Sequence, residues 1–343
     1  MKSFFHLIKL LVKSIFRYSP NIVWLLGLAI FLAYLSPCIG SHYIAGQITN
    51  IGLFLIFFGY GIGMSPSIIW RGIVNWKLHI VVLLTTFLTF PLVVLVVRQF
   101  FVTEKNQEIW LGIFYIAALP STISSSVVMV SIAGGNIPAA IFNASISGIV
   151  GVFITPIWMS LLITGIVGAD NFSVINAIGK LMIIIILPIT LGMCCNKKLA
   201  NWTAKNKKIL RYFDQSVILF VVYTSFSKSF ANDAFDGFAI SQLAILCVGM
   251  ILLFFCIYGI TLTCCKILNF NNEDTIAALF CGSKKSLGHG ITMSKVIFAE
   301  IGSVGIVLLP IILYHALQLI VVSIIAKRYA ETTKNNNEQN KIP

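Results

Sequence analysis

CGSKKSLGHG, residues 281–290, interrupts an apolar stretch that runs from about residue 274 to 298. It sets Lys284, Lys285 and His289 at membrane depth, among glycines and serines that hold a straight helix poorly. A charged side chain at the centre of a bilayer costs at least about 3 kcal/mol. A chain this apolar carries such a cost where it has a use, so the stretch is read as the functional centre.

Working outward, the chain has 343 residues, 58% of them hydrophobic and only 10% charged. That composition excludes an ordinary soluble domain and points to many membrane spans joined by short loops. Ten spans are expected, near 21–37, 49–64, 77–98, 108–132, 137–166, 173–194, 213–229, 239–264, 274–298 and 302–326. The formal charge of +13 comes from 24 Lys and Arg against 11 Asp and Glu. It does not imply nucleic acid, because the basic residues are scattered through loops. With the N-terminus inside, seventeen fall on the inner side, and only Arg98, Lys105 and Lys228 fall outside. Lys180, Lys284, Lys285 and Lys295 lie within spans. This asymmetry predicts both termini in the cytoplasm.

Three regions follow. Residues 1–19 carry basic residues every three or four positions opposite an apolar side, a pattern that suits either a surface-lying amphipathic helix or an extension of the first span. Residues 20–327 form the membrane domain, and the polar segment 328–343 is expected to be a disordered cytoplasmic tail. The eight cysteines include two adjacent pairs and no zinc spacing, so no disulfide framework is expected.

The ten spans divide into two sets of five, at about 20–167 and 172–327. Because five is odd, the second set enters the membrane in the opposite sense. The fourth span of each set is interrupted, by LPSTISSSVVM (119–129) in the first and by CGSKKSLGHG in the second. Each following span carries a proline, Pro156 or Pro310. Paired interruptions in an inverted 5+5 repeat point to a transporter's binding site. Ser121, Thr122, Ser124, Ser125 and Ser126 offer hydroxyl ligands at the first break, and Asn143 and Ser145 on the next span are candidates to face it. A sodium ion is expected at Ser125, Ser126 and Asn143. Serines and a lone asparagine also serve as helix–helix contacts, so the packing reading stands beside this one. Ser283, Lys284, Lys285, Ser286 and His289 form the second break. His315 and Gln318 share a helical face on the last span. Each histidine also reads as a hydrogen-bonded core residue.

The runs AGGNIPAAIFNASISGIVGVFITP (133–156) and KSL followed by LLPIILYHALQL (285–287, 308–319) resemble the bile acid:sodium symporter family, in its cotransporter 7-like branch with bacterial members. The resemblance covers about Trp24 to Lys327. It implies an all-α fold of ten helices, a panel domain (spans 1, 2, 6 and 7) and a core domain (3–5 and 8–10). Helices 4 and 9 would be unwound where they cross. It also implies secondary active transport of an organic anion in a plasma membrane, here the inner membrane of a bacterium. Membrane lipid and the small anion would be the partners, and the protein a monomer or homodimer. The branch's association with calcium homeostasis implies an alternative, a regulator without anion flux. An intramembrane enzyme would need paired acids or a histidine-rich metal site at depth, and the chain has neither.

The chain departs from the family where sodium binds. Sodium-coupled relatives carry a Ser-Asn pair after the first break, where this chain has Ser125 and Ser126. They carry a glutamate and Gln-Asn-Ser in the second, where Lys284-Lys285-Ser286 stands and no acid is present. A protonated lysine about 5 Å from a cation repels it by about 3 kcal/mol at an effective dielectric of 20. Two readings follow. The ammonium takes the place of a sodium, making transport sodium-independent or proton-coupled, or it binds the anionic group of the substrate and leaves a weaker, hydroxyl-lined sodium site.

Overall fold

A computed structural model of the chain describes residues 21–37, 42–64, 75–102, 106–167, 173–232, 235, 240–299 and 304–339. The N-terminal segment 1–19 lies outside the described residues. Among those described the structure is all-helical. In chain order the helices are α1 (Asn21–Leu35), α2 (Tyr43–Gly63), α3 (Trp76–Phe101), α4 (Gln107–Ala118), α5 (Ser124–Ile132) and α6 (Ile137–Val167). They continue with α7 (Val174–Lys205), α8 (Lys207–Ala231), α9 (Ile240–Ile267), α10 (Asn272–Gly282), α11 (Leu287–Ile297) and α12 (Val304–Gln339).

Six helices are by themselves long and apolar enough to cross a bilayer: α2, α3, α6, α7, α9 and α12. The rest of the ten expected spans fall short for identifiable reasons. α1 has 15 residues, and α8 carries Arg211, Asp214 and Lys228. α4–α5 and α10–α11 are each split by four or five non-helical residues, so no half exceeds 12 residues. The breaks lie where the sequence placed them, at 119–123 and 283–286. One expectation is corrected. Residues 328–339, read as disordered, continue α12 as helix to Gln339. The segment has no proline or glycine to stop a helix that starts inside the membrane.

Two sets of neighbouring helices stand out, and they also touch each other, α6 against α7 and α8 against α12. α2 lies against α7 and α8, and α1 lies along α8. The approach of α2 to α7 requires glycine, because a Cβ on Gly61 would lie 2.1 Å from the Ile189 carbonyl oxygen and one on Gly192 2.1 Å from that of Phe58. Small residues that let backbones touch are the usual device where lipid supplies no hydrophobic drive between helices. In the second group α12 packs on α4 and α9, α6 on α4, and α10 on α3 and α9.

At one end of this second group three helix starts converge on a buried carboxylate. Asp274, in the first turn of α10, accepts from the amides of Asn75 (2.6 Å), Asn136 (2.8 Å) and Asn271 (3.2 Å). Those asparagines stand at the starts of α3, α6 and α10. A carboxylate placed where helix N-termini meet is favoured by their dipoles. Gly134, at φ +76° in the turn before Asn136, takes a left-handed conformation that suits glycine.

Candidate functional site

Pro91 and Pro120 decide which backbone groups are free to bind something else. α3 passes through one π-turn at Thr85–Thr89, and there the N–H of Phe90 bonds Thr85 O. The residue after Phe90 is Pro91, which has no N–H to offer. The carbonyls of Thr86 and Phe87 are thereby left for partners outside the helix. Phe87 O accepts from Trp158 Nε1 at 2.7 Å. Thr86 O accepts from Lys285 Nζ at 2.8 Å.

Pro120 has the same effect on α4. Leu119 N turns back to Ile116 O, and Ser121 N bonds Ser147 Oγ (2.9 Å) instead of continuing the helix. Carbonyls 117 to 120 then point out of the ladder. Ala117 O and Leu119 O accept from Lys285 Nζ at 2.7 and 2.8 Å, Ala118 O from Thr155 Oγ1 at 2.7 Å, and Pro120 O from Ser286 N at 2.9 Å. Buried carbonyls without donors are costly, and these four are satisfied across the bundle.

Lys285 is fully buried, and its three ammonium hydrogens go to three carbonyl oxygens. The ring of Phe90 closes the site, with its centroid 4.2 Å from Nζ. A cluster of carbonyl oxygens at helix breaks is how membrane transporters hold small cations. In this chain the cation is the end of its own side chain. The backbone at Lys285 is clamped by one amide, since Lys285 N donates to Gln318 Oε1 (2.9 Å) and Gln318 Nε2 donates to Lys285 O (2.8 Å). The second hydrogen of Nε2 reaches His315 Nδ1 at 2.9 Å. The sequence expectation that His315 and Gln318 share a face is realised as this clamp.

The two breaks meet and satisfy each other. Ser121 Oγ donates to Cys281 O (2.6 Å), Ser126 Oγ to Phe280 O (3.1 Å), and Tyr314 Oη to Ser283 O (2.7 Å). Ser283 Oγ turns back to Leu279 O at 2.6 Å. Thr122 Oγ1 meets both Ser125 and Ser126. Lys284 is fully buried and donates to Ser125 Oγ at 2.8 Å, so it bonds within the protein instead of snorkelling to the surface. The side chain of Ser124 lies outside the described residues. Ser286 caps α11, bonding both the backbone N–H and Nδ1 of His289. His289 Nε2 and Ser145 Oγ are buried without a protein partner.

Ser125 and Ser126, which share Thr122, and Asn143 are the expected sodium ligands, and each has a further partner of its own. Ser125 meets the Lys284 ammonium, Ser126 the Phe280 carbonyl, and Asn143 Oδ1 the ring of His79 at 3.0 Å. An ammonium bonded to Ser125 opposes a second cation there, and Lys285 fills the carbonyl cluster. This ligand set therefore does not fit a sodium ion with both lysines charged. The sequence reading missed His79, Thr86, Ser147, Thr155 and Tyr314. Only Thr86 had a usable signal, the proline five residues on.

Broken helices sealed against each other inside a bundle of membrane-length helices define an integral, multi-pass membrane transporter. The chain belongs to the SBF-like CPA transporter family, whose model matches residues 21–331. It is similar to protein PA2026 of Pseudomonas aeruginosa, at 37% identity over 92% of this chain and 94% of the relative. It is 31% identical to YfeH of Escherichia coli (strain K12), covering 85% and 87% of the two chains. Sodium/bile acid cotransporter 7 of Xenopus tropicalis is 28% identical, over 87% and 88%.

Proposed function

We propose that the protein is a secondary active transporter of an organic anion, working by alternating access, in which the Lys285 ammonium takes the place of a coupling sodium. The observation that carries this reading is the filled carbonyl cluster, where Lys285 Nζ bonds Thr86, Ala117 and Leu119. The alternative role for Lys285, binding the substrate's anionic group, has no free N–H to use in this conformation. The name of cotransporter 7 supports an anion of the bile acid type as the first probe.

The same proposal includes an architecture of ten spans in two inverted sets of five. α4–α5 and α10–α11 serve as the broken fourth and ninth spans. α1, α2, α7 and α8 form the panel, and the remaining helices the core. Both termini face the cytoplasm of a bacterial inner membrane. The core carries the crossing breaks, and the panel slides against it.

The test is uptake of a labelled bile acid into proteoliposomes, with sodium and proton gradients imposed separately. Uptake by the wild type is expected to be indifferent to the sodium gradient. In Lys285→Ala the emptied carbonyl cluster is expected to accept sodium, so thermal stability in detergent rises with sodium for the variant and not for the wild type. Sodium-driven uptake by the wild type would overturn the cation-substitute role. An absence of anion flux under every gradient would favour the regulator instead.

A further inference from the structure

The longest run of basic residues lies beyond the transport site, at the junction of α7 and α8. Asn196 Nδ2 bonds Ile62 O at 2.6 Å, which sets the level at which α2 ends. α7 continues from there to Lys205, about 13 Å further at 1.5 Å per residue. α8 starts two residues later, at Lys207. This overshoot carries Lys197, Lys198, Lys205, Lys207, Lys208 and Arg211, and it contains no acid between Asp170 and Asp214.

Lys197, Lys198, Lys205, Lys208 and Arg211 are exposed. Lys198, Trp202 and Lys205 stand at i, i+4 and i+7 on one face of α7. Trp202 is 52% exposed, and across the junction Ile209 and Tyr212 are 62% and 57% exposed. Basic side chains interleaved with exposed aromatic and aliphatic ones, at the end of a membrane-crossing helix, match both parts of an anionic phospholipid. The charges meet its phosphate, and the rings lie at headgroup level.

We propose that the α7–α8 junction is a docking surface for anionic phospholipid headgroups. The bilayer bordering α7 supplies the occupant, and the uninterrupted positive charge selects its anionic members. This surface is independent of which solute the protein carries.

The test uses the full-length protein in phosphatidylcholine vesicles containing a bromine-labelled lipid, which quenches nearby tryptophan fluorescence. The Trp202 signal is taken as the part lost in Trp202→Phe. Brominated phosphatidylglycerol is expected to quench it about threefold or more better than an equal fraction of brominated phosphatidylcholine. The preference is expected to fall to parity when Lys198, Lys205, Lys208 and Arg211 are changed to Gln. It should fall in the same direction for the unaltered protein at high salt, an arm that needs no variant to fold. Equal quenching by the two lipids in the wild type overturns the proposal, as does a preference that survives both the Gln variant and high salt. If added inorganic phosphate abolishes the preference at constant ionic strength, the surface takes a soluble phosphate and the lipid assignment fails.

Discussion

Lys285→Met keeps the length of the side chain and removes its three donors. Thr86, Ala117 and Leu119 then keep buried carbonyls with no hydrogen to accept. Each such orphan costs about 1–3 kcal/mol, so the variant is expected to lose at least about 3 kcal/mol of stability, read as an earlier thermal transition in detergent. Ser121→Ala orphans only Cys281 O and is expected to cost about 1–2 kcal/mol. An equal effect from both would mean that Lys285 is not the keystone described here. The sequence made Lys285 conspicuous because a lysine at bilayer depth has no cheap explanation. It hid the lysine's partners because they are backbone oxygens, which carry no residue signature. Asn143 was legible as a polar residue at depth, but the pairing with His79 was not. A lone histidine 64 residues away gives no local pattern to connect the two.

Among the elements, the breaks at 119–123 and 283–286 were readable from proline, glycine and clustered hydroxyls, which mark backbone that leaves the helix. The π-turn in α3 was not, since its five residues, TTFLT, read as ordinary helix and only Pro91 betrays it. The extension of α12 to Gln339 was misread because polarity was taken for disorder. Two contacts between elements give further tests. Asp274→Ala removes the acceptor shared by the starts of α3, α6 and α10. Hydrogen bonds to a charged group contribute about 1.5–3 kcal/mol each, and the freed amides are partly rewetted, so a loss of about 3 kcal/mol is expected. Asp274→Asn, which keeps one acceptor oxygen, should lose less. Gly192→Ala forces α7 away from Phe58 O and is expected to cost about 1–3 kcal/mol by overpacking. Chemical or thermal unfolding of the purified variants checks both.

For the whole molecule, the charge distribution predicts that a cysteine at Asn201 and one at Glu331 are modified from the same side of the membrane. Opposite accessibility in intact cells and inverted vesicles would reverse the proposed topology. The meeting of the two breaks has a consequence for how the chain is made. Carbonyls 117, 119 and 120, left open by α4, receive their donors from Lys285 and Ser286, which emerge from the ribosome more than 160 residues later. Ser121 and Ser126 wait 160 and 154 residues for the carbonyls of Cys281 and Phe280. Until then the N-terminal helices hold polar backbone that has no final partner. The N-terminal half is therefore an unfinished folding unit, open to quality-control proteolysis during synthesis. Expressed alone as residues 1–170 it should be degraded quickly, and co-expression of residues 171–343 should lengthen its lifetime in a pulse-chase measurement. The same co-expressed half carrying Lys285→Met should protect it less.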